Sequence, residues 1–576
     1  MNKKLIKKAI GSFKNQAILA PIFVIIEVLF EVLIPFEMSK IIDNGILKGN
    51  MNYILTEGLI VLIYAILALI SGAMAGRFAA IAAAGYAKNI RKSLFYKIQE
   101  FSFKNIDRFS SPSLVTRLTT DINLVQNSFN MTIRLLTRTP LMVIFSVIMT
   151  VNINANIAFI FLILMPFMAL IFILVPKYAH PRFLKVMKAT DELNRDVKEN
   201  VDAQRVVKSF VREEFEIDKF SKTNELIYKL NTRAQRMVQV LNPLLDLSIY
   251  IVIIVILLIG SKSIIIGSMS TGELTSIVVY AIQIMVSMMM LGIIFIFNII
   301  AKPSIERINE VLDEEIDMKN PENPITDMKD GSIVFDHVGF SYDTFDSKVL
   351  DDININIKSG ELIGIIGATG SAKTSLVNLI PRLYDVTKGS VKISGIDVRE
   401  YDLTYLRDQV SVVLQNNQLF SGTIRENILW GNEYASMEEI EHVSKLSQAH
   451  DFIMSFPNGY DTMITRGGTN VSGGQKQRIC IARALLKMPK IIILDDSTSA
   501  VDTKTESSIQ KAFREELPET TKIIIAQRIS SIKNADKIIV LDDGKIAAMG
   551  TSDELLKTCD IYKEIYESQQ KGGEDE

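Results

Sequence analysis

Eight residues, Gly367-Ala-Thr369-Gly370-Ser371-Ala372-Lys373-Thr374, follow the apolar run Leu362–Gly367 and precede the helical pattern Ser375–Leu383. A strand, a glycine-rich turn and a helix in that order are the context of a phosphate-binding loop. Backbone N–H groups of such a turn, with the helix N-terminus behind them, cradle phosphate oxygens. Lys373 is placed for the β- and γ-phosphates, and the hydroxyl of Thr374 for Mg²⁺. Ala372 departs from the pattern, which has glycine before the lysine. Its methyl group leaves the N–H in place, so binding is expected to survive. The competing reading is a chance glycine-rich turn, and the flanking strand and helix weigh against it. A second buried-strand pattern, Ile491–Asp495, ends in an acid that would hold the hydrated Mg²⁺.

The segment Val471-Ser472-Gly473-Gly474-Gln475-Lys-Gln-Arg478 resembles the signature motif of ATP-binding cassette proteins. That resemblance implies roles for further residues. Tyr342, in Phe340-Ser-Tyr, looks like the aromatic that stacks on adenine. Gly367, Thr369, Gly370, Ser371, Ala372, Lys373, Thr374 and Ser375 form the ATP cradle. Gln415 looks like the glutamine that senses Mg²⁺, sharing the metal with Thr374 and Asp495. Asp502, in Ser499-Ala-Val-Asp502, looks like part of the loop that crosses to a partner cassette. The family works as a dimer of cassettes with two ATP molecules between them, each lying between one chain's phosphate loop and the other chain's signature.

Two departures bear on hydrolysis. The resemblance implies a Glu after Asp495 to polarise the attacking water, and this chain has Asp496. One methylene fewer leaves the carboxylate about 1 Å short, a misplacement that can cost about a hundredfold. Gln527 stands at the switch position, where the family has His. An amide can hydrogen-bond but cannot carry imidazolium charge. Both changes in one chain resemble the degenerate half of a heterodimeric exporter, whose partner keeps the catalytic Glu and His. Arg466, just before the signature, replaces an acid found in many members and puts the usual contact there in doubt. The signature itself is intact, so Ser472, Gly473, Gly474 and Gln475 would complete the partner's site.

These motifs need elements to position them. The 576 residues exceed one compact domain. Lys+Arg number 63 and Asp+Glu 65, a balance that gives no pull toward nucleic acid, and no nucleic-acid partner is expected. Two cysteines, Cys480 and Cys559, cannot make a disulfide framework and suit a reducing compartment. Apolar runs of about 20 residues, the length of a membrane span, recur at Ala17–Phe36, Ile54–Met74, Ile133–Val151, Ala155–Val175, Leu244–Ile266 and Leu274–Ile300. Basic residues crowd stretches 87–118 and 177–236, so those loops, both termini and the cassette are expected in the cytoplasm. Apolar residues recur at helical spacing among those charges, which predicts helical extensions of the spans. The expected organisation is a six-helix membrane domain at 1–300, a connector at 301–330 with Pro321 and Pro324, an α/β cassette at 331–570, and an acidic tail at 571–576.

Glu27 and Glu31 lie four apart in the first span, on one helix face. Ionisable groups inside a span are candidates for a transport pathway, here a wall for cations; a hydrogen-bonded pair with no substrate contact is the plainer reading. Met285, Met288, Met289 and Met290 could offer an adaptable surface, but four methionines in six positions cannot share one face, and packing or lipid contact is preferred. Asp246, near the start of the fifth span, is read as interfacial. The layout, with Ser113-Leu-Val-Thr-Arg-Leu-Thr-Thr-Asp121 in the first long loop, is similar to bacterial multidrug-type exporters built as half-transporters. The resemblance implies a plasma-membrane subunit that moves amphipathic drugs or lipids with ATP and Mg²⁺. The alternatives are a slow homodimeric exporter and a nucleotide-gated membrane regulator.

Overall fold

The computed structural model describes residues 9–342, 348–496 and 501–574. The chain divides into two compact units, with cuts at Gln99/Glu100, Ser110/Ser111 and Glu314/Glu315. The first unit is helical. Among the described residues, five helices are long and apolar enough to cross a membrane: Gly11–Ile46, Met51–Gln99, Ser111–Ile153, Pro243–Ile266 and Thr271–Leu312. The remaining expected span lies in the helix Ala155–Asp202, which opens with the apolar stretch Ala155–Met168. The basic stretches continue these helices, as their helical spacing predicts. One run ends at Gln99, and Glu213–Gln239 leads toward the fifth span.

Packing among the helices follows four-residue spacing. Val24, Val28 and Val32 share one face of the first helix and meet Ala75, Met142 and Tyr280 from three others. The Tyr280 hydroxyl donates to the Val32 carbonyl at 2.9 Å, so a buried phenol leaves no orphan donor. Met285 is buried in a second cluster with Ile277, Ile284 and Val252, and Met288 and Met289 pack against it. That bears out the packing reading for these methionines; Met290 alone is exposed.

The expected connector begins as helix. Thr271–Leu312 runs beyond the predicted end of the sixth span because Ala301, Ser304, Ile308 and Val311 recur at helical spacing and are buried. Ser304 donates to Asp121 at 2.9 Å, and Arg307 Nε donates to the same carboxylate at 2.8 Å. At the other end of this helix, Ser270 caps the N-terminus, and Asp43 accepts the Gly272 N–H at 2.8 Å. A Cβ on Gly272 would lie 2.3 Å from the Ser39 carbonyl, so only glycine admits that approach.

The second unit takes residues 100–110 together with the cassette. The helix Phe103–Phe109 is closed by a capping box between Ser102 and Asn105. Asn105 donates to the Glu315 carbonyl at 3.2 Å, and the Tyr384 hydroxyl donates to Asp107 at 2.7 Å. Thus part of the first long loop belongs structurally with the cassette.

The cassette's central sheet has the order β12-β11-β3-β10-β9-β6, built from β3 (Leu362–Gly367), β6 (Val410–Val413), β9 (Ile491–Asp495), β10 (Thr521–Ile525), β11 (Lys537–Asp542) and β12 (Lys545–Gly550). Strands β11, β3, β10, β9 and β6 are parallel, and β12 adds antiparallel at the edge. Near-continuous apolar runs such as Ile491-Ile-Ile-Leu suit strands covered on both faces. A second sheet, β2-β1-β4-β5, comprises β1 (Ile333–Phe340), β2 (Leu350–Ile357), β4 (Lys388–Ile393) and β5 (Ile396–Asp397). Strand β2 alternates polar and apolar residues, with Ile353, Ile355 and Ile357 buried. The α-helix from Asp560 extends to Glu574. The tail expected at 571–576 is therefore helical as far as it is described.

Candidate nucleotide site and a charge cluster in the membrane unit

Parallel strands deliver the candidate residues to one edge. The phosphate loop leaves the C-terminal end of β3, Gln527 lies just beyond β10, Asp495 and Asp496 end β9, and Gln415 follows β6. Ligands of open parallel sheets bind outside these carboxyl ends. The loop's geometry explains its glycines. A Cβ on Gly367 would lie 2.1 Å from the Leu541 carbonyl oxygen, and Gly370 has φ +87°. Ala372 adopts φ +70°, ψ +23° at the N-terminus of the helix Lys373–Asn378. This left-handed conformation is why the pattern prefers glycine there, and an L-residue carries a strain of about 1–2 kcal/mol.

The Lys373 ammonium lies over the loop, donating to the carbonyls of Gly367 at 2.9 Å and Ala368 at 2.8 Å. Burial lowers its pKa, while Asp495 and Asp496 oppose that shift. Thr374 donates its hydroxyl to Asp495 at 2.8 Å, so the two expected Mg²⁺ ligands are neighbours. Burial pushes the Asp495 carboxyl above its usual range, against the Thr374 hydrogen bond. An acidic oxygen beside a hydroxyl at the head of a phosphate loop is the donor set a hard oxygen-seeking cation takes. The residues present therefore fit Mg²⁺. When bound it would neutralise phosphate charge.

Asp496 has φ +48° and is 8% exposed. Its Oδ2 accepts from Gln527 Nε2 at 2.7 Å and from Gln415 Nε2 at 3.3 Å. Burial raises its pKa, and the two amides draw it down. Both expected departures and the expected Mg²⁺-sensing glutamine therefore meet at one carboxylate oxygen. The C-terminal helix joins them: Gln569 donates to the Gln527 carbonyl at 2.7 Å and accepts from the Ile529 N–H at 2.8 Å.

The Tyr342 hydroxyl is 2.9 Å from the Ser375 hydroxyl, and its ring meets Tyr384 edge-on at 5.1 Å. The expected adenine-stacking aromatic is thus tied to the phosphate-loop helix and remains 39% exposed. Tyr384 was missed as part of this aromatic cluster; its place after the phosphate-loop helix was the available cue. Thr369 is exposed on the loop, whereas Ser371 is buried.

The signature is a helix start. Ser472 caps Gly473–Leu485, with its hydroxyl accepting the Gln475 N–H at 3.3 Å and Gln475 Oε1 accepting the Ser472 N–H at 2.9 Å. Ser472 and Gly473 are exposed, and the N-terminal dipole faces outward, ready for an anion. Arg466 is exposed one turn before it. Asp502 caps the helix Thr503–Glu516 by accepting the Thr505 N–H at 2.9 Å. Ser499 and Ala500 of the expected crossing loop lie outside the described residues, and Val501 is buried.

In the membrane unit, Glu27 and Glu31 meet a residue the span assignment passed over. Arg138 pairs with Glu27 through Nη1, and its Nη2 donates to both Glu31 oxygens at 3.0 and 2.7 Å. One guanidinium thus bridges both carboxylates, so the wall is not the purely anionic surface expected for cations. Arg134 and Arg138 are four apart, matching the spacing of Glu27 and Glu31, and that was the legible signal. Asp246 is exposed.

Three comparisons relate the chain to known proteins. Residues 17–288 match the family model of the ABC transporter transmembrane region, and residues 350–499 match that of the ABC transporter. An uncharacterized ABC transporter ATP-binding protein of Bacillus subtilis is 38% identical, with 98% of each chain covered. An ATP-dependent lipid A-core flippase of Desulfotalea psychrophila is 33% identical, with 84% of each covered. A bacterial Atm1-family ABC exporter solved with ATP bound has the same fold, with a TM-score of 0.82 at 23% identity, over 97% of this chain and 99% of that one.

Proposed function

The chain belongs to the ABC transporters, as an ATP-driven exporter half-transporter of the membrane with its cassette in the cytoplasm, and on that premise we propose that it is the degenerate-site subunit of a heterodimer. One observation carries the proposal: the carboxylate that must orient the attacking water is a short one, Asp496, and two neutral amides, Gln415 and Gln527, hold the same oxygen. Burial holds the Asp496 carboxyl above its usual range, but two amides on one oxygen of a short side chain occupy the lone pairs that would otherwise orient the water.

In this reading Lys373 and the loop N–H groups bind phosphate, Thr374 and Asp495 hold Mg²⁺, and Tyr342 supports the base. Asp496 and Gln527 orient water poorly, so ATP bound here turns over slowly. Ser472, Gly473, Gly474 and Gln475 present a helix N-terminus to the nucleotide on the partner's phosphate loop. The partner is a second half-transporter with an intact Glu and His, and the cargo is amphipathic, a drug or a lipid. Glu27 and Glu31 line part of its path.

The reading is tested by measuring ATPase of the full chain alone and with the partner half-transporter. Slow turnover alone and fast turnover together is the expected result. Fast turnover by the chain alone supports a homodimeric exporter instead. ATP binding without any transport in the complex supports a nucleotide-gated regulator.

A further inference from the structure

A cavity of about 580 Å³ in the membrane unit is lined by the charged residues Glu27, Glu31 and Arg134 and by the small residues Ala68, Gly72 and Ala73. Its charged wall balances. Two carboxylates face two guanidinia, counting Arg138, which engages both acids. Two buried polar atoms at this wall have no hydrogen-bond partner among the described residues: Glu27 Oε2 and Arg134 Nε. One is an acceptor and the other a donor. Glu27 is 8% exposed, so its unpaired oxygen has little access to bulk water. A buried donor or acceptor left unpaired costs free energy, and here both orphans belong to residues lining the same space.

The chemistry of a fitting ligand follows. A simple cation meets Glu31 but also Arg134. A simple anion meets Arg134 but also the net negative Glu27–Arg138–Glu31 trio. A group carrying both charges satisfies both ends. The rest of the lining is small and apolar. At Gly72 a Cβ would lie 2.9 Å from Glu27 Oε1, so glycine there lets the Glu27 carboxylate lie against the helix backbone. We infer that this cavity binds the zwitterionic head group of an amphiphile, with its ammonium at Glu31 and Glu27 and its anionic oxygens at Arg134. The inference rests on the pathway reading above for the cavity's role in transport, but binding itself does not.

The test is retention of lipid by the purified full-length protein with its partner, without nucleotide, read by native mass spectrometry. The probes are phosphatidylethanolamine, phosphatidylglycerol and a dialkyl trimethylammonium lipid. The expected wild-type order puts phosphatidylethanolamine first. Glu31→Gln should lower its retention about tenfold, the size of one charge-assisted hydrogen bond, while phosphatidylglycerol is held at least as well as before. Arg134→Gln should lower it similarly and spare the cationic lipid. Arg134→Lys, which keeps the charge, should keep the wild-type order, and that order can be read even if the Gln variants fold poorly. Free phosphoethanolamine that displaces the lipid shows that the head group suffices; no displacement shows that the apolar chains are required. Equal retention of the three lipids, or variants that change all three in parallel or none, overturns the inference. Because no nucleotide is present, a failure here leaves the reading of the ATP sites intact, and a failure of that reading leaves lipid retention intact.

Discussion

Two acidic pairs in this chain are held in opposite ways. Asp495 and Asp496 end a buried strand and receive hydrogen bonds from neutral groups, Thr374, Gln415 and Gln527. Glu27 and Glu31 lie four apart on a helix and receive a guanidinium, Arg138. Neutral donors leave negative charge on the pair, so the first remains ready for a divalent cation. A guanidinium offsets half of that charge, so the second pair holds two helices together and keeps one net negative charge. The same residue chemistry is set to different uses by the partner it meets.

This contrast can be broken at several points. The largest effect on turnover is expected at Gly474. A bulky side chain at the first turn of the signature helix should cut ATP turnover of the complex by more than about a hundredfold, about 2.7 kcal/mol, while this chain's own site still retains ATP in a filter-binding assay. Next comes the membrane pair. Arg138→Gln leaves the buried Glu27 and the partly exposed Glu31 without their shared cation, a loss of about 2–3 kcal/mol, below that for a fully buried pair because solvent screens Glu31. Folded yield in size-exclusion chromatography should fall, and adding Glu27→Gln should restore part of it. Lys373→Ala should weaken ATP binding at this chain's own site by at least about tenfold, about 1.4 kcal/mol, because a cation at the phosphates is lost. Ala372→Gly should stabilise the cassette by about 1 kcal/mol through relief of the left-handed strain, read as a rise of about 2–4 °C in Tm.

Much of this was legible from residue types. The phosphate loop, the acid-ended strand and the signature sit where their flanking patterns place them, because a strand–turn–helix order is local. What was not legible is which helices are neighbours. Arg138 lies more than a hundred positions from Glu31 in sequence, and an apolar-span assignment that begins at Ile133 absorbs it as an exception. The antiparallel strands β2 and β4 were missed for a similar reason. Their alternating polar residues form a half-buried surface whose partners come from β1. The expected connector begins as helix because Ala301, Ser304, Ile308 and Val311 carry a helical period that the charged residues between them mask. The meeting of Gln415 and Gln527 on one oxygen of Asp496 needed three strands in register, although each residue had been singled out on its own.

The division of labour between the two ATP sites is tested most directly by the ATPase rate of the full complex carrying Asp496→Asn. The side chain keeps its volume and loses its charge. If this carboxylate carries little turnover, the rate should stay within about threefold of wild type, about 0.7 kcal/mol. A fall of a hundredfold or more would place the main hydrolytic step at Asp496 and contradict the assignment.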